Sequence, residues 1–264
     1  MPQPHKVMLV GAGPGSADLL TVRALRAIEG AEALLYDALV GEEILDLAPR
    51  RCLRILTGKR SGGVSMKQAE INALMLKLAL KGLKVVRLKG GDPSVFGRSG
   101  EERDHLEAHG VQVEIVPGIT AASAAAAQFA FPLTHRKEAR RITFATARVE
   151  DGALVEDGWS GCADRETTLA VYMGRDAAGP VSARLIAEGR APQTPAVAIE
   201  NAGRPEARLI QTTLADLAQA LVTAAPSGPV VMVIGPVAAR ARSADAALAD
   251  TSLSDSVLAF VRAR

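Results

Sequence analysis

Two glycine clusters stand out as chemistry-bearing, GAGPGS at Gly11–Ser16 and KGGDPSVFGRSGEE at Lys89–Glu102. Each follows directly on a β-prone run. Glycine has no Cβ, so main chain at Gly90 and Gly91 can approach a ligand closely or take positive φ. A loop of this kind at the carboxyl end of a parallel strand is where open α/β sheets hold ligands. Gly-Asp-Pro is equally ordinary turn chemistry, and the cluster alone leaves both readings open. The first cluster invites a dinucleotide reading, with Asp37 at the end of the second strand as the ribose-binding acid. Its details disagree: the sixth position is Ser16 rather than Gly, Pro14 has no N–H to donate, and the helical pattern waits until about Thr21. A third segment, VPGITAASAAAA at Val116–Ala127, ends a strand at Pro117-Gly118 and opens a helix of small side chains near Thr120.

Other candidate ligands read more plainly. His105 and His109 have the i, i+4 spacing that can hold a metal on one helix face, but no general-base pattern adjoins them. Their neighbours Glu101, Glu102, Arg103, Asp104 and Glu107 mark a solvated helix surface. Cys52 and Cys162 are far apart and have no partner at metal-ligand spacing, as expected of small core or surface residues in a reduced, cytoplasmic setting.

The elements that must carry these residues fall into two series. Lys6–Val10, Ala33–Tyr36, Leu53–Leu56, Lys84–Leu88 and Gln112–Val116 are β-prone runs separated by helical patterns or Gly/Pro breaks, which predicts a parallel sheet. Between the third and fourth, Ser65 and Gln68 have capping-box spacing. Ile71, Leu74, Met75 and Leu78 then form one apolar face, and Gly82 ends the helix. The second series is Ile142–Ala145, Thr168–Tyr172, Ala196–Ile199, Arg208–Thr212 and Val230–Ile234. The third and fourth of these are joined by a segment containing NAGRPEA, too short for a crossover helix, so the second sheet is expected to be mixed and to contain a hairpin. The expected division is an N-terminal α/β domain at 1–135, a C-terminal α/β domain at 136–240 and a tail at 241–264; the chain after Gly235 is expected to add little core.

Composition narrows the function classes. The 264 residues are 48% hydrophobic, enough for a sizeable core. A net charge of +2 and 3% aromatic residues leave little with which to bind nucleic acid. The apolar run at the N-terminus stops at Val10, too short for a signal peptide, and no apolar stretch reaches the roughly 20 residues of a membrane span.

Taken in order, GAGPGSADLLT, YDALV, GKR, KGGDPSVFGRSGEE, VPGITAA, PLTHR, YMG and TPAVAIEN resemble the tetrapyrrole methylase family, most closely its members acting on uroporphyrinogen III. The resemblance runs from Val7 to about Gly235 and accounts for Pro14 and the delayed helix. It implies a homodimer of two-domain subunits, with S-adenosylmethionine in the cleft between domains. By motif match the donor contacts Pro14, Gly90, Gly91, Asp92, Val95, Thr120, Ala121, Met173 and Ala202. The acid-base pair falls on Asp37 and Lys59, and substrate handling on Arg98, Glu101, Arg136 and Met173. The implied reaction is methylation of uroporphyrinogen III at C2 and C7 to give precorrin-2, with a sister methylase of a later precorrin as the nearest alternative. A sulfonium methyl is already activated, so alignment and exclusion of water matter more than a metal, and none is expected. Eight substrate carboxylates call for arginines. Ser94, Ala38, Thr146-Ala147-Arg148, Ala202 and Thr212 depart from the family's usual residues. An NAD-dependent oxidoreductase and a non-catalytic donor sensor are the rivals from other classes.

Overall fold

The computed structural model describes residues 6–58, 66–147, 149–150, 153–155, 159 and 161–243. Its first elements are β1 (Val7–Gly11), α1 (Val22–Glu29), β2 (Ala33–Tyr36), α2 (Glu42–Leu45), β3 (Leu53–Leu56), α3 (Gln68–Leu80), β4 (Val85–Lys89), α4 (Ser99–Ala108), β5 (Val113–Val116) and α5 (Ala121–Gln128). There follow β6 (Arg141–Thr146), β7 (Val149–Glu150), β8 (Ala153–Leu154), β9 (Thr167–Tyr172), α6 (Ala178–Ala187), β10 (Pro195–Glu200), β11 (Arg208–Thr213), α7 (Leu217–Ala224) and β12 (Val230–Ile234). The chain divides into two compact units, Met1–Ala124 with Asn201–Ala207, and Ala125–Glu200 with Arg208–Arg264.

In the first unit the sheet order is β3-β2-β4-β1-β5 and every neighbouring pair is parallel, as the alternation of strand and helix predicts. The strand period of two splits its side chains between two faces. Val10, Leu34, Val86 and Leu88 pack with Ala24, Ala27 and Ile28 of α1. On the other face Val7, Leu9, Leu35 and Val85 pack with Ile71, Met75 and Leu78 of α3 and Leu106 of α4. The helices that follow the adjacent strands β1 and β4 therefore cover opposite faces. The loops that lead into them leave the carboxyl edge of the sheet, the place where open α/β sheets form a ligand crevice.

Local signals set the helix boundaries. The Thr21 hydroxyl accepts the Ala24 N–H at 3.1 Å and starts α1 where the delayed pattern places it, and a 3-10 turn at Ala17–Leu19 fills the gap. Ser65, half of the expected capping box, lies outside the described residues. The observed capping box lies two residues later, with Lys67 at the N-cap and the Glu70 carboxylate accepting the Lys67 N–H at 2.7 Å. Gly82, with φ of 79°, ends this helix as expected.

The second unit holds a sheet of order β11-β10-β12-β9-β6, in which β6 and β9 are parallel and the other pairs antiparallel. The expected hairpin is β10–β11, in register from Pro195↔Thr213 to Glu200↔Arg208. One expectation is corrected. The chain just after Gly235, expected to add little core, buries Val237 and Ala238 completely or nearly so in the 3-10 turn Pro236–Arg240, which lies against β10 and β12. Residues 244–264, most of the expected tail, lie outside the described residues. No helix among the described residues is long and apolar enough to cross a membrane.

Arg190 ties this unit together from inside. It is 1% exposed and donates to the carbonyls of Cys162 at 2.7 Å, Thr167 at 2.9 Å and Ile234 at 3.1 Å, so one guanidinium joins a loop and the ends of β9 and β12. Burial pulls its pKa down from the usual value. Replacing Arg190 with Met leaves three carbonyls short of a donor, at roughly 1–3 kcal/mol each if they stay dry. A loss of stability on the order of 3 kcal/mol is expected in urea unfolding, and an unchanged midpoint at unchanged slope would show that water replaces the clamp.

Candidate active site

Three loops meet at the carboxyl edge of the first sheet, after β1, β4 and β5, and their meeting depends on glycine. Gly13 and Gly91 exchange both backbone hydrogen bonds, at 3.2 and 2.7 Å, and the Ala12 N–H donates to the Lys89 carbonyl at 2.8 Å. A Cβ on Gly118 would lie 2.2 Å from the Gly91 carbonyl oxygen, and one on Gly11 would lie 2.6 Å from Gly118 Cα. Any side chain larger than hydrogen would force the loops apart. Asp92 fastens them further: one carboxylate oxygen accepts the Gly118 N–H at 2.9 Å, and the other accepts the Ser94 N–H at 2.8 Å and the Ser94 hydroxyl.

Asp37 makes a similar link from the end of β2. Its Oδ2 accepts the Gly90 N–H at 3.1 Å and its Oδ1 the Leu39 N–H at 2.9 Å. The segment Asn201–Ala207, which belongs to this unit, closes over Pro14. Gly203, at φ of 80°, would put a Cβ 2.3 Å from Pro14 Cγ, and its carbonyl accepts the Ser16 N–H at 3.0 Å. Ala202 beside it is buried. Among the residues expected to hold the donor, Pro14, Gly90, Gly91, Asp92, Val95, Thr120, Ala121 and Ala202 all belong to this unit. Gly91 and Thr120 adjoin one another, since a Cβ on Gly91 would find only Thr120 Cα at 3.9 Å and the Ile119 carbonyl at 4.0 Å. That is ordinary van der Waals spacing on a wall of main-chain atoms, which fits a ligand that lies against backbone.

Of the expected substrate-handling residues, Arg98 and Glu101 are found paired with each other. Arg98 Nε and Nη2 donate to the two Glu101 oxygens at 2.8 and 2.7 Å, both side chains are more than half exposed, and Arg98 has a left-handed backbone at φ of 56°. The pairing raises the Arg98 pKa and lowers that of Glu101. Met173 and Arg136 lie in the second unit. Met173 follows β9 with φ of 53° and is 68% exposed, a large apolar side chain held outward by an uncommon backbone conformation. Arg136 is exposed, and its carbonyl accepts Arg140 Nε at 3.2 Å. Lys59 lies outside the described residues, as does Arg148.

One detail differs from expectation. Glu102, read as part of a solvated helix face, is completely buried. It accepts from Arg87 Nε at 3.2 Å, Lys89 Nζ at 2.8 Å and Gln68 Nε2 at 3.1 Å. Burial, and then the like charge of Arg87, push the Lys89 pKa down against the pull of Glu102. His109, by contrast, is exposed as expected, with Nδ1 at 2.8 Å from the His105 carbonyl of its own helix. Cys52 and Cys162 are buried, and burial raises both thiol pKa values.

The sequence matches the tetrapyrrole (corrin/porphyrin) methylases over residues 6–218. It is 43% identical over 237 residues to a uroporphyrinogen-III C-methyltransferase of Paracoccus denitrificans, covering 89% of this chain and 82% of that protein. It is 44% identical over 232 residues to a siroheme synthase of Azotobacter vinelandii, covering 88% of this chain and 50% of that protein, so the chain spans about half the length of the siroheme synthases it matches. A crystal structure of a uroporphyrin-III C-methyltransferase from Thermus thermophilus, complexed with S-adenosylhomocysteine, is similar with a TM-score of 0.76 at 39% identity, over 88% of this chain and 98% of that one.

Proposed function

The chain belongs to the tetrapyrrole methylase family, and from that premise we propose that it methylates uroporphyrinogen III at C2 and C7, with S-adenosylmethionine as donor, to give precorrin-2. The observation that supports this reading is the main-chain junction of Gly11, Gly91 and Gly118, which packs three loops backbone against backbone at the carboxyl edge of a parallel sheet, where such sheets hold ligands. We take a homodimer and a cytoplasmic location as parts of the same proposal.

The donor supplies an activated methyl group. What remains for the protein is to align a pyrrole carbon with it, exclude water, and manage one proton for each methyl added. In this reading Pro14, Gly90, Gly91, Asp92, Val95, Thr120, Ala121 and Ala202 hold the donor, with Met173. Asp92, whose two oxygens are already committed to Gly118 and Ser94, does so by holding the loops in shape. Arg98 and Arg136 take substrate carboxylates. Arg98 carries Glu101 as a resting partner, and a propionate that displaced it would gain the same fork of donors. Asp37 accepts the proton that the methylated ring must lose, and Lys59 is its acid-base partner.

The test is mass spectrometry of the tetrapyrrole after anaerobic incubation of uroporphyrinogen III with the full chain and donor. A donor-dependent dimethylated product is expected. Unchanged uroporphyrinogen III, with methylation of a later precorrin under the same conditions, would move the assignment to the sister reaction.

A further inference from the structure

Strand β4 reads VVRLK and is buried along its whole length, yet two of its five residues are cationic. Arg87 and Lys89 stand two apart, so both turn to the face that α3 and α4 cover. Among the described residues Glu102, in the first turn of α4, is the carboxylate that both of them reach, and its Oε1 also takes the amide of Gln68 from α3. Burying a charge demands a partner, and one cation would satisfy Glu102. The second cation calls for another reason.

Position supplies it. Lys89 is the last residue of β4 and Glu102 lies just inside α4, so their ion pair joins the two ends of the loop 90–98. The Lys89 stem runs beneath that loop: a Cβ on Gly97 would lie 3.1 Å from Lys89 Cε. Within the loop Phe96 and Arg98 both hold positive φ, at 54° and 56°, without being glycine. Such conformations are strained and persist only where the surroundings over-determine them. We propose that Lys89 and Glu102 form a positioning pair, a buried clamp across the base of the 90–98 loop that fixes its shape for the methyl donor while touching neither donor nor substrate. The donor part of this inference rests on the proposed function, in which that loop carries Gly90, Gly91, Asp92 and Val95.

Lys89→Met separates clamp from fold, because it leaves Arg87 paired one-to-one with Glu102 and removes the surplus buried charge. Three measurements on the full chain decide the matter: hydrogen–deuterium exchange of peptides spanning 90–98, the Kd for S-adenosylhomocysteine, and the unfolding midpoint. In Lys89→Met the exchange of this loop is expected to speed about 10-fold relative to the rest of the chain. Kd should rise by about 10-fold, with the midpoint within about 3 °C of the parent. Lys89→Arg, which keeps a cation toward Glu102, is expected to recover most of both losses. Unchanged loop exchange in Lys89→Met overturns the clamp. So does a collapse of the midpoint with exchange rising uniformly, since the pair would then be a fastener of the whole unit. If the loop responds as expected but the parent protein itself binds no S-adenosylhomocysteine, the clamp stands and the methyltransferase reading falls.

Discussion

Gly118→Ala is expected to raise the Kd for S-adenosylhomocysteine at least about 100-fold, roughly 2.7 kcal/mol, while the two sheets persist. The added methyl group would lie 2.2 Å from the Gly91 carbonyl oxygen and 2.8 Å from Gly11 Cα, and neither neighbour is a side chain that can swing aside. Relief requires the loops after β1, β4 and β5 to separate by about an ångström, a shift that costs on the order of 10²-fold where alignment matters. Separation would also break the reciprocal Gly13–Gly91 hydrogen bonds and pull the Gly118 N–H from Asp92. Overpacking of this kind costs about 1–3 kcal/mol of stability, so the unfolding midpoint should fall by several degrees without loss of the folded state. Gly100→Ala is the control: nothing lies within 4 Å of a Cβ there, and the residue is inside α4, where Ala is the better helix former. Calorimetric titration of both variants checks the claim. A Gly118→Ala protein that binds like the parent would show that the junction is not where the donor lies.

The elements were legible wherever a local rule acts alone. Thr21 begins α1 because its hydroxyl caps the helix, and the β10–β11 hairpin follows from a connection too short for a crossover. Asp37 was also legible as an acid at a strand end, though not its grip on Gly90, because that link joins residues 53 positions apart. The same limit hid Gly118: its neighbours are Gly91 and Gly11, and only the packing of three strands reveals that neither Gly118 nor Gly11 can carry a side chain. Glu102 was misread for a different reason. Among Glu101, Arg103, Asp104 and Glu107 it looks like one more solvated charge, yet β4 held the correcting signal. An otherwise apolar central strand with Arg87 and Lys89 on one face demands a buried acid, and α4 is the helix that follows it. The stretch after Gly235 misleads by its alanines, which conceal that Val237 is core.

Asp37→Asn is the second large effect, and its value lies in separating two roles the carboxylate could play. Each oxygen of Asp37 accepts one backbone N–H, from Leu39 and from Gly90. Asn has a single acceptor oxygen, so whichever way its amide turns, one of those N–H groups faces an NH2. Losing one charge-assisted hydrogen bond of this sort costs about 1.5–3 kcal/mol at most, and only part of that reaches the donor loop. Kd for S-adenosylhomocysteine is therefore expected to rise by no more than about 10-fold. Turnover should respond differently if Asp37 takes the proton from the methylated ring, because an amide cannot: kcat is expected to fall by about 10²–10⁴. Were Asp37 only a fastener between β2 and the Gly90 loop, kcat and donor affinity would decline by the same modest factor. Single-turnover rates at saturating donor, set beside the Kd, distinguish the two, and an unchanged rate would take Asp37 out of the chemistry altogether.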